Sequence, residues 1–261
     1  NNGWDLEQTD GTGWMAMFSL NMMRIALELA IYNPVYEDMA TKFFEHFLYI
    51  ANALNTIGDN NEGLWDEEDG FFYSALRINE SQSISLKLRS IVGLIPIFAV
   101  EVFEHDFLTK LPNFERRMQW ILKYKPELVS VVARYEEQNK GGKHLLSMVT
   151  PDRLKRVLGH ALNPNAFLSD YGIRALSKEY EANPYTFPTA DGVQVVKYLP
   201  SESDSKIFGG NSNWRGPIWF PLNFLLVESL QRFYFYFQDD FKVEYPTGSG
   251  EEHTLDEIAS D

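Results

Sequence analysis

Apolar positions along this chain recur at helical spacing, in two alternating styles. From Gly13 to Tyr32 nearly every side of the expected helix is apolar, with Arg24 and Glu28 an i,i+4 pair on a narrow polar strip. A helix apolar all round reads as buried. Pro34 stops it. From Val35 to Asn55 the pattern is amphipathic, with Met39, Phe43, Phe47, Ile50 and Leu54 on one face and Glu37, Lys42, Glu45 and Asn52 elsewhere. The alternation then repeats. Leu86 to Phe103 is apolar all round, loosened or kinked by Gly93 and Pro96, and Phe107 to Tyr124 is amphipathic, with Glu115, Arg116, Gln119 and Lys123 toward water. Thr150 to Leu162 reads as a short helix capped by Thr150 with Pro151 at its first position, and Pro217 to Tyr236 is again strongly apolar.

A ring of helices inside a second ring would write this alternation. The expectation is an all-α fold, an (α/α)6 toroid incomplete on its C-terminal side, in one domain over residues 1–261. Stacked helix pairs of a solenoid alternate too, but no fixed-period repeat is visible and the connections are long and unequal. Those connections (Thr56 to Ser85, Lys125 to Val149, Asn163 to Gly216) hold strand-like pieces such as Phe71–Tyr73 and Val193–Tyr198. Long ordered loops on a rigid scaffold are where sites are built. Both ends look cut: Asn1 lies beside site-like sequence, and Leu255, Ile258 and Ala259 read as the opening of an unfinished helix. A fragment of a longer protein is expected.

Composition narrows the function classes. At 261 residues, 44% hydrophobic, the chain can bury a large core. A net charge of −14 argues against a nucleic-acid groove or an anionic membrane surface and suits a neutral ligand such as a carbohydrate. The absence of Cys excludes disulfides, thiol catalysis and zinc–thiolate sites. No signal peptide and no membrane-crossing apolar run is visible, so a cytoplasmic location is expected. The five histidines lack metal-site spacing and read as structural; no cofactor motif, nucleophile elbow or phosphate loop occurs.

The most informative stretch is GGNSNWRGPIWFPLNF, residues 209–224, a glycine-rich polar turn running into an apolar helix. Trp214 offers a flat apolar face and Arg215 a planar fork of five donors, the pairing that sugar binding requires, although both could simply pack and cap. In DLEQTDGTGWMA, residues 5–16, Asp5, Glu7 and Asp10 precede a buried helix. Asp10, beside an aromatic and an apolar helix, is a candidate general acid; an ordinary N-cap is the alternative. In LWDEEDGFFY, residues 64–73, acids crowd a turn at Asp69–Gly70; calcium, a solvated acidic turn, or a sugar-contacting edge are the readings, and EF-hand spacing is absent. SLKLRSIVG sets Lys87 and Arg89 at a helix mouth, and FLSDYGIRALS sets Arg174 after a Gly turn; each alone is weak.

Taken in order, EQTDGTGWMA, WDEEDGFFY, LKLRSIVGLIP, LSDYGIRALS and GNSNWRGPIW resemble the catalytic domain of glycoside hydrolase family 63, and more narrowly its bacterial glucosidase-like members, over residues 1–250 or so. The resemblance implies a toroid with a central funnel and inverting hydrolysis of α-glucosides or related α-glycosides, without metal or organic cofactor. It implies Asp10 as general acid, Trp214 and Arg215 lining the glycone subsite, and Asp69 to Phe71 bordering the same pocket. Glu7, Trp14 and Arg89 join these as substrate contacts. The family's base glutamate lies in an aromatic Y-E-Y type segment followed by glycines. Glu244 in KVEYPTGSG only partly matches that setting, so either Glu244 is the base or the base lies beyond this chain. In the second case the chain is a catalytically incomplete carbohydrate-binding or scaffold fragment, prone to self-association.

Overall fold

The computed structural model describes residues 5–7, 9–56, 63–79, 82–129, 141–189, 192–199 and 218–261. Strand β1 (Asp5–Glu7) leads into two long helices, α1 (Thr9–Ala30) and α2 (Tyr36–Thr56), which pack along each other. β2 (Trp65–Asp66), β3 (Phe71–Phe72), β4 (Ser74–Asn79) and β5 (Gln82–Leu86) follow. A 3-10 segment at Ile91–Phe98 then gives way to β6 (Val100–Glu104), α3 (His105–Leu108), α4 (Pro112–Tyr124), α5 (Pro126–Val129), β7 (Lys143–Ser147) and α6 (Pro151–Ala161). The rest comprises β8 (Leu168–Ser169), β9 (Gly172–Ile173), β10 (Tyr185–Thr189), β11 (Gly192–Val196), α7 (Phe220–Phe237), β12 (Lys242–Glu244), β13 (Glu252–Thr254) and α8 (Leu255–Ser260). The strands form small antiparallel groups: β1, β4 and β5 make a three-stranded sheet, and the others pair two by two.

The expected all-α (α/α)6 toroid is therefore corrected: helices are mixed with antiparallel strand pairs. The expectation fails first at Leu86 to Phe103, read as one buried helix. Pro96 cannot donate to a helical ladder, and the run is rich in β-branched Ile and Val, which favour extended backbone. The chain takes a 3-10 path over Ile91–Phe98 and then becomes β6, paired with β7 from Val100↔Ser147 to Glu104↔Lys143. Gly93 permits this path, since a Cβ there would run into the Phe71 ring and the Phe72 carbonyl oxygen. The expected helix from Phe107 to Tyr124 is likewise split, because Pro112 starts a new helix rather than continuing the old one.

α1 differs from its sequence reading in another way. Its inner face, with Leu20, Met23 and Leu27, is buried, yet Met15, Phe18, Met22, Ile25 and Leu29 are 42–56% exposed. Their spacing of three and four puts them in one stripe. α2, α6 and α7 are helices where the sequence pattern placed them, but α2 turns Met39 outward, 44% exposed, and buries Glu37. Thr150 caps α6 by accepting from Arg153 N, as its hydroxyl and the following Pro151 foretold. α7 begins at Phe220, with Pro221 in its first turn. Leu111, which precedes α4, cannot cap; Glu37 of α2 reaches across instead, its buried carboxylate accepting from Phe114 N at 2.7 Å and Asn113 Nδ2 at 3.1 Å. Among the described residues no helix is long and apolar enough to cross a membrane.

Candidate functional site

The five sequence motifs, far apart along the chain, are joined to one another in the described part of the fold. In the first, Gly13 of α1 lies so close to the third that an added Cβ would sit 2.8 Å from Ile95 Cγ2. Just past the second motif, Ser74 Oγ accepts from Thr9 N of the first at 3.3 Å. The third and fourth are joined by backbone: Ile91 N donates to Ala175 O at 2.9 Å and Ser177 N to Arg89 O at 3.0 Å. The fourth meets the end of the fifth where Arg174 bridges Ile218. Asn223 of α7 secures that junction, accepting from Ile173 N at 2.6 Å and donating to Ile173 O at 3.1 Å and Trp219 O at 3.0 Å.

The second and third motifs meet in a half-buried polar network centred on Asp69. Asp66 closes the turn, its carboxylate accepting from Asp69 N at 2.8 Å. Lys87 Nζ lies 2.7 Å from Asp66 and 3.4 Å from Asp69. Arg89 reaches Asp69 at 3.4 Å, Glu179 at 3.0 Å and the Tyr73 hydroxyl at 3.1 Å. Tyr73 in turn donates to Asp69 Oδ2 at 3.1 Å. Two acids, Asp69 and Glu179, thus hold one guanidinium, and the acidic turn is neutralised by cations of the same chain. Among the described residues no group of three or more His, Asp or Glu is placed to hold a metal ion.

Burial raises the Tyr73 and Tyr180 hydroxyls above their ordinary value, so both remain protonated donors. Burial alone would lower Arg89, but Tyr73, Glu179 and Asp69 outweigh it and hold the guanidinium firmly charged. Burial would also raise Asp66; the Asp69 N–H and Lys87 overcome it and keep that carboxyl low. His160 of α6 sits on the back of the turn, Nε2 2.8 Å from Asp69 O, its ring edge-on to Phe71. Burial holds its pKa below the ordinary value. Since Asp69 O can only accept, Nε2 carries the proton.

The sequence candidates fall into separate places. Asp69, Phe71 and Arg89 come together as described, with Phe71 fully buried and stacked on Phe167 at 5.9 Å. That burial makes Phe71 a core residue that shapes the turn from beneath rather than a surface for a ligand. Asp10 lies in the first turn of α1, half-buried, one residue after the wholly buried Thr9. Trp14 is one turn further, packed at 5.9 Å on Phe98. Glu7 lies in β1, paired with Ala75. Trp214 and Arg215 lie outside the described residues. Glu244 ends β12, its carboxylate accepting from Gly250 N at 2.6 Å within the β12–β13 connection. Backbone N–H groups of Gly248 and Gly250 lower its pKa. That connection docks on α6 through Thr247, whose N donates to Leu162 O and whose hydroxyl donates to Gly159 O.

Sequence reasoning missed Tyr73, Glu179, Tyr180 and His160. Only the crowding of acids around Asp69 signalled that cations had to come from elsewhere. A cavity of about 1450 Å3 lies among the described residues. It is lined by the fourth motif and the start of α7, including Asp170, Tyr171, Arg174, Ile218, Phe220 and Asn223. The Asp10, Asp69 and Arg89 side chains are not among its described lining.

No protein-family model matches the sequence. The uncharacterized protein YMR196W of Saccharomyces cerevisiae is 46% identical over 272 aligned positions, which take in 99% of this chain and 25% of the yeast protein. The chain thus spans about a quarter of the length of that relative.

Proposed function

We propose that this chain carries part of an inverting glycoside hydrolase acting on α-glucosides or related α-glycosides, with Asp10 as the general acid. The observation that supports this reading is the meeting of the motifs. The first touches the third, the second and third share the Asp69–Arg89 network, and the third, fourth and fifth are linked through backbone contacts. Segments chosen from sequence for a shared chemistry have a physical reason to act together. The chemistry needs a protonated carboxyl for the leaving glycosidic oxygen and a carboxylate to take a proton from the attacking water. Carbohydrate is the expected partner, and no metal or organic cofactor enters the proposal.

A second reading has its own support. The Glu244 carboxylate is already engaged by its own turn. The N–H groups of Gly248 and Gly250 that lower its pKa also make it a weaker base toward water. This favours a carbohydrate-binding or scaffold role for the chain by itself, with the base supplied from outside it.

The test is a panel of α-linked glucosides given to this chain and to the full-length yeast relative, with the product anomer read by NMR. Asp10→Asn, made in whichever protein turns over, is expected to cut the rate by about 10²–10⁴ and to leave sugar binding intact. Hydrolysis that continues unchanged in that variant removes Asp10 from the mechanism. Binding by this chain without hydrolysis supports the second reading.

A further inference from the structure

Away from the motifs, α2 and α4 enclose a second groove of about 400 Å3, a volume within the range of small-molecule sites. α2 lines it with Asp38, Lys42 and Glu45, and α4 with Arg117 and Trp120. The spacings of three and four on both helices set these side chains along one seam. Thr41 and Ile121, both buried, form its floor. Arg117 Nη1 and Asp38 Oδ1 are 2.5 Å apart, bridging the helices across the seam.

The charge pattern says what kind of ligand fits. Two carboxylates and two cations line the groove, so its formal charge is zero. A metal ion or a phosphate would find half of the lining repulsive. A neutral polyol needs both acceptors and donors, which Asp38 and Glu45 on one hand and Lys42 and Arg117 on the other supply. Its apolar C–H face needs a flat ring, and Trp120 is 54% exposed. Tyr124, 59% exposed, lies one helical turn on, the two ring centroids 5.3 Å apart and tilted by 38°. Two exposed rings along a helix offer stacking surfaces to two successive sugar units.

We infer that the α2–α4 groove is a carbohydrate-binding site for a neutral oligosaccharide of at least two units, separate from the motif cluster and independent of Asp10. It holds sugar by stacking on Trp120 and Tyr124 and by hydrogen bonds to Asp38, Lys42, Glu45 and Arg117. The site binds without cleaving, so it stands whether or not the proposed hydrolysis is found.

The test is titration of this chain with maltotriose, read by two-dimensional NMR and by calorimetry. The expected result is binding that shifts the Trp120 indole N–H resonance. Trp120→Ala should weaken that affinity about tenfold or more, as loss of a central aromatic anchor does. Trp120 is exposed, so unchanged melting of the variant separates lost binding from lost fold. Tyr124→Ala should weaken maltose binding more than glucose binding, because only a sugar of two units reaches both rings. No shift at Trp120 with maltotriose would overturn the assignment, as would affinity unaltered in Trp120→Ala. A response to free glycine but to no sugar would make the groove a zwitterion site and also overturn it. Asp10→Asn should bind at this groove as the parent does, which keeps the outcome distinct from that of the hydrolysis assay.

Discussion

Glu37→Ala tests how the α4 wall of that groove is held. The carboxylate is 4% exposed and does what the residue before α4, Leu111, cannot: it satisfies the Phe114 N–H of the helix's open first turn. Removing it leaves that amide buried without a partner and takes a negative charge from the positive end of the helix. A hydrogen bond to a charged group contributes about 1.5–3 kcal/mol, and the dipole adds roughly 0.3–1 kcal/mol. Relief of the carboxylate's own desolvation offsets part of this, so a net loss of about 2–3 kcal/mol is expected. For a domain of this size that corresponds to a fall in Tm of roughly 5–10 °C. Thermal unfolding followed by circular dichroism gives the global figure. Hydrogen exchange at the Phe114 and Glu115 amides gives the local one, since fraying should begin there. Glu37→Gln retains an acceptor oxygen and should recover part of the loss. A Glu37→Ala variant that melts with the parent and protects Phe114 equally well would refute the reasoning.

Other outcomes follow from the same geometry. Gly93→Ala places a methyl against the Phe71 ring and the Phe72 carbonyl. Because backbone cannot give way as a flexible side chain does, a loss of about 2–3 kcal/mol in urea unfolding is expected, and a neutral result would mean the 3-10 segment shifts freely. His160 makes stability depend on pH. Burial depresses its folded pKa below the ordinary 6.5, so the unfolded chain takes up the proton first as pH falls. Stability is therefore intact above about pH 6.5 and declines through the window beneath it. His160→Gln should flatten that decline between about pH 7 and 5 in paired denaturation series. An equal or steeper slope in the variant would place the effect elsewhere.

Helices with a clear period were legible. α2, α6 and α7 needed only their apolar spacing, and α6 also announced its start through Thr150 and Pro151. The run from Leu86 to Phe103 was not legible, because an apolar stretch without polar interruption carries no period with which to choose helix or strand. Its fate was decided by Pro96 and by a pairing partner, Lys143–Ser147, that lies some forty residues downstream. The toroid failed because stretches between and within its expected helices pair as antiparallel strands; separately, α1 was read as buried on every side and leaves a whole stripe uncovered. At the site, Asp69 and Arg89 were picked out singly, but their union was not. It depends on Tyr73 lying between them and on Glu179 arriving from the far side of the fold, contacts that no local pattern records. The role of Glu37 was hidden likewise, since a cap borrowed from another helix leaves no mark in the capped segment beyond an apolar residue where a polar one belongs.

The greasy row formed by Met15, Phe18, Met22, Ile25 and Leu29 has a practical corollary at the bench. Fluorescent probes that light up on nonpolar surface are commonly read as reporters of loosened packing. This chain should brighten such dyes while fully folded, because a contiguous oily strip already faces the solvent. Dye-based melting curves would then start high and climb little. Backbone or tryptophan signals are the sounder choice for following its unfolding.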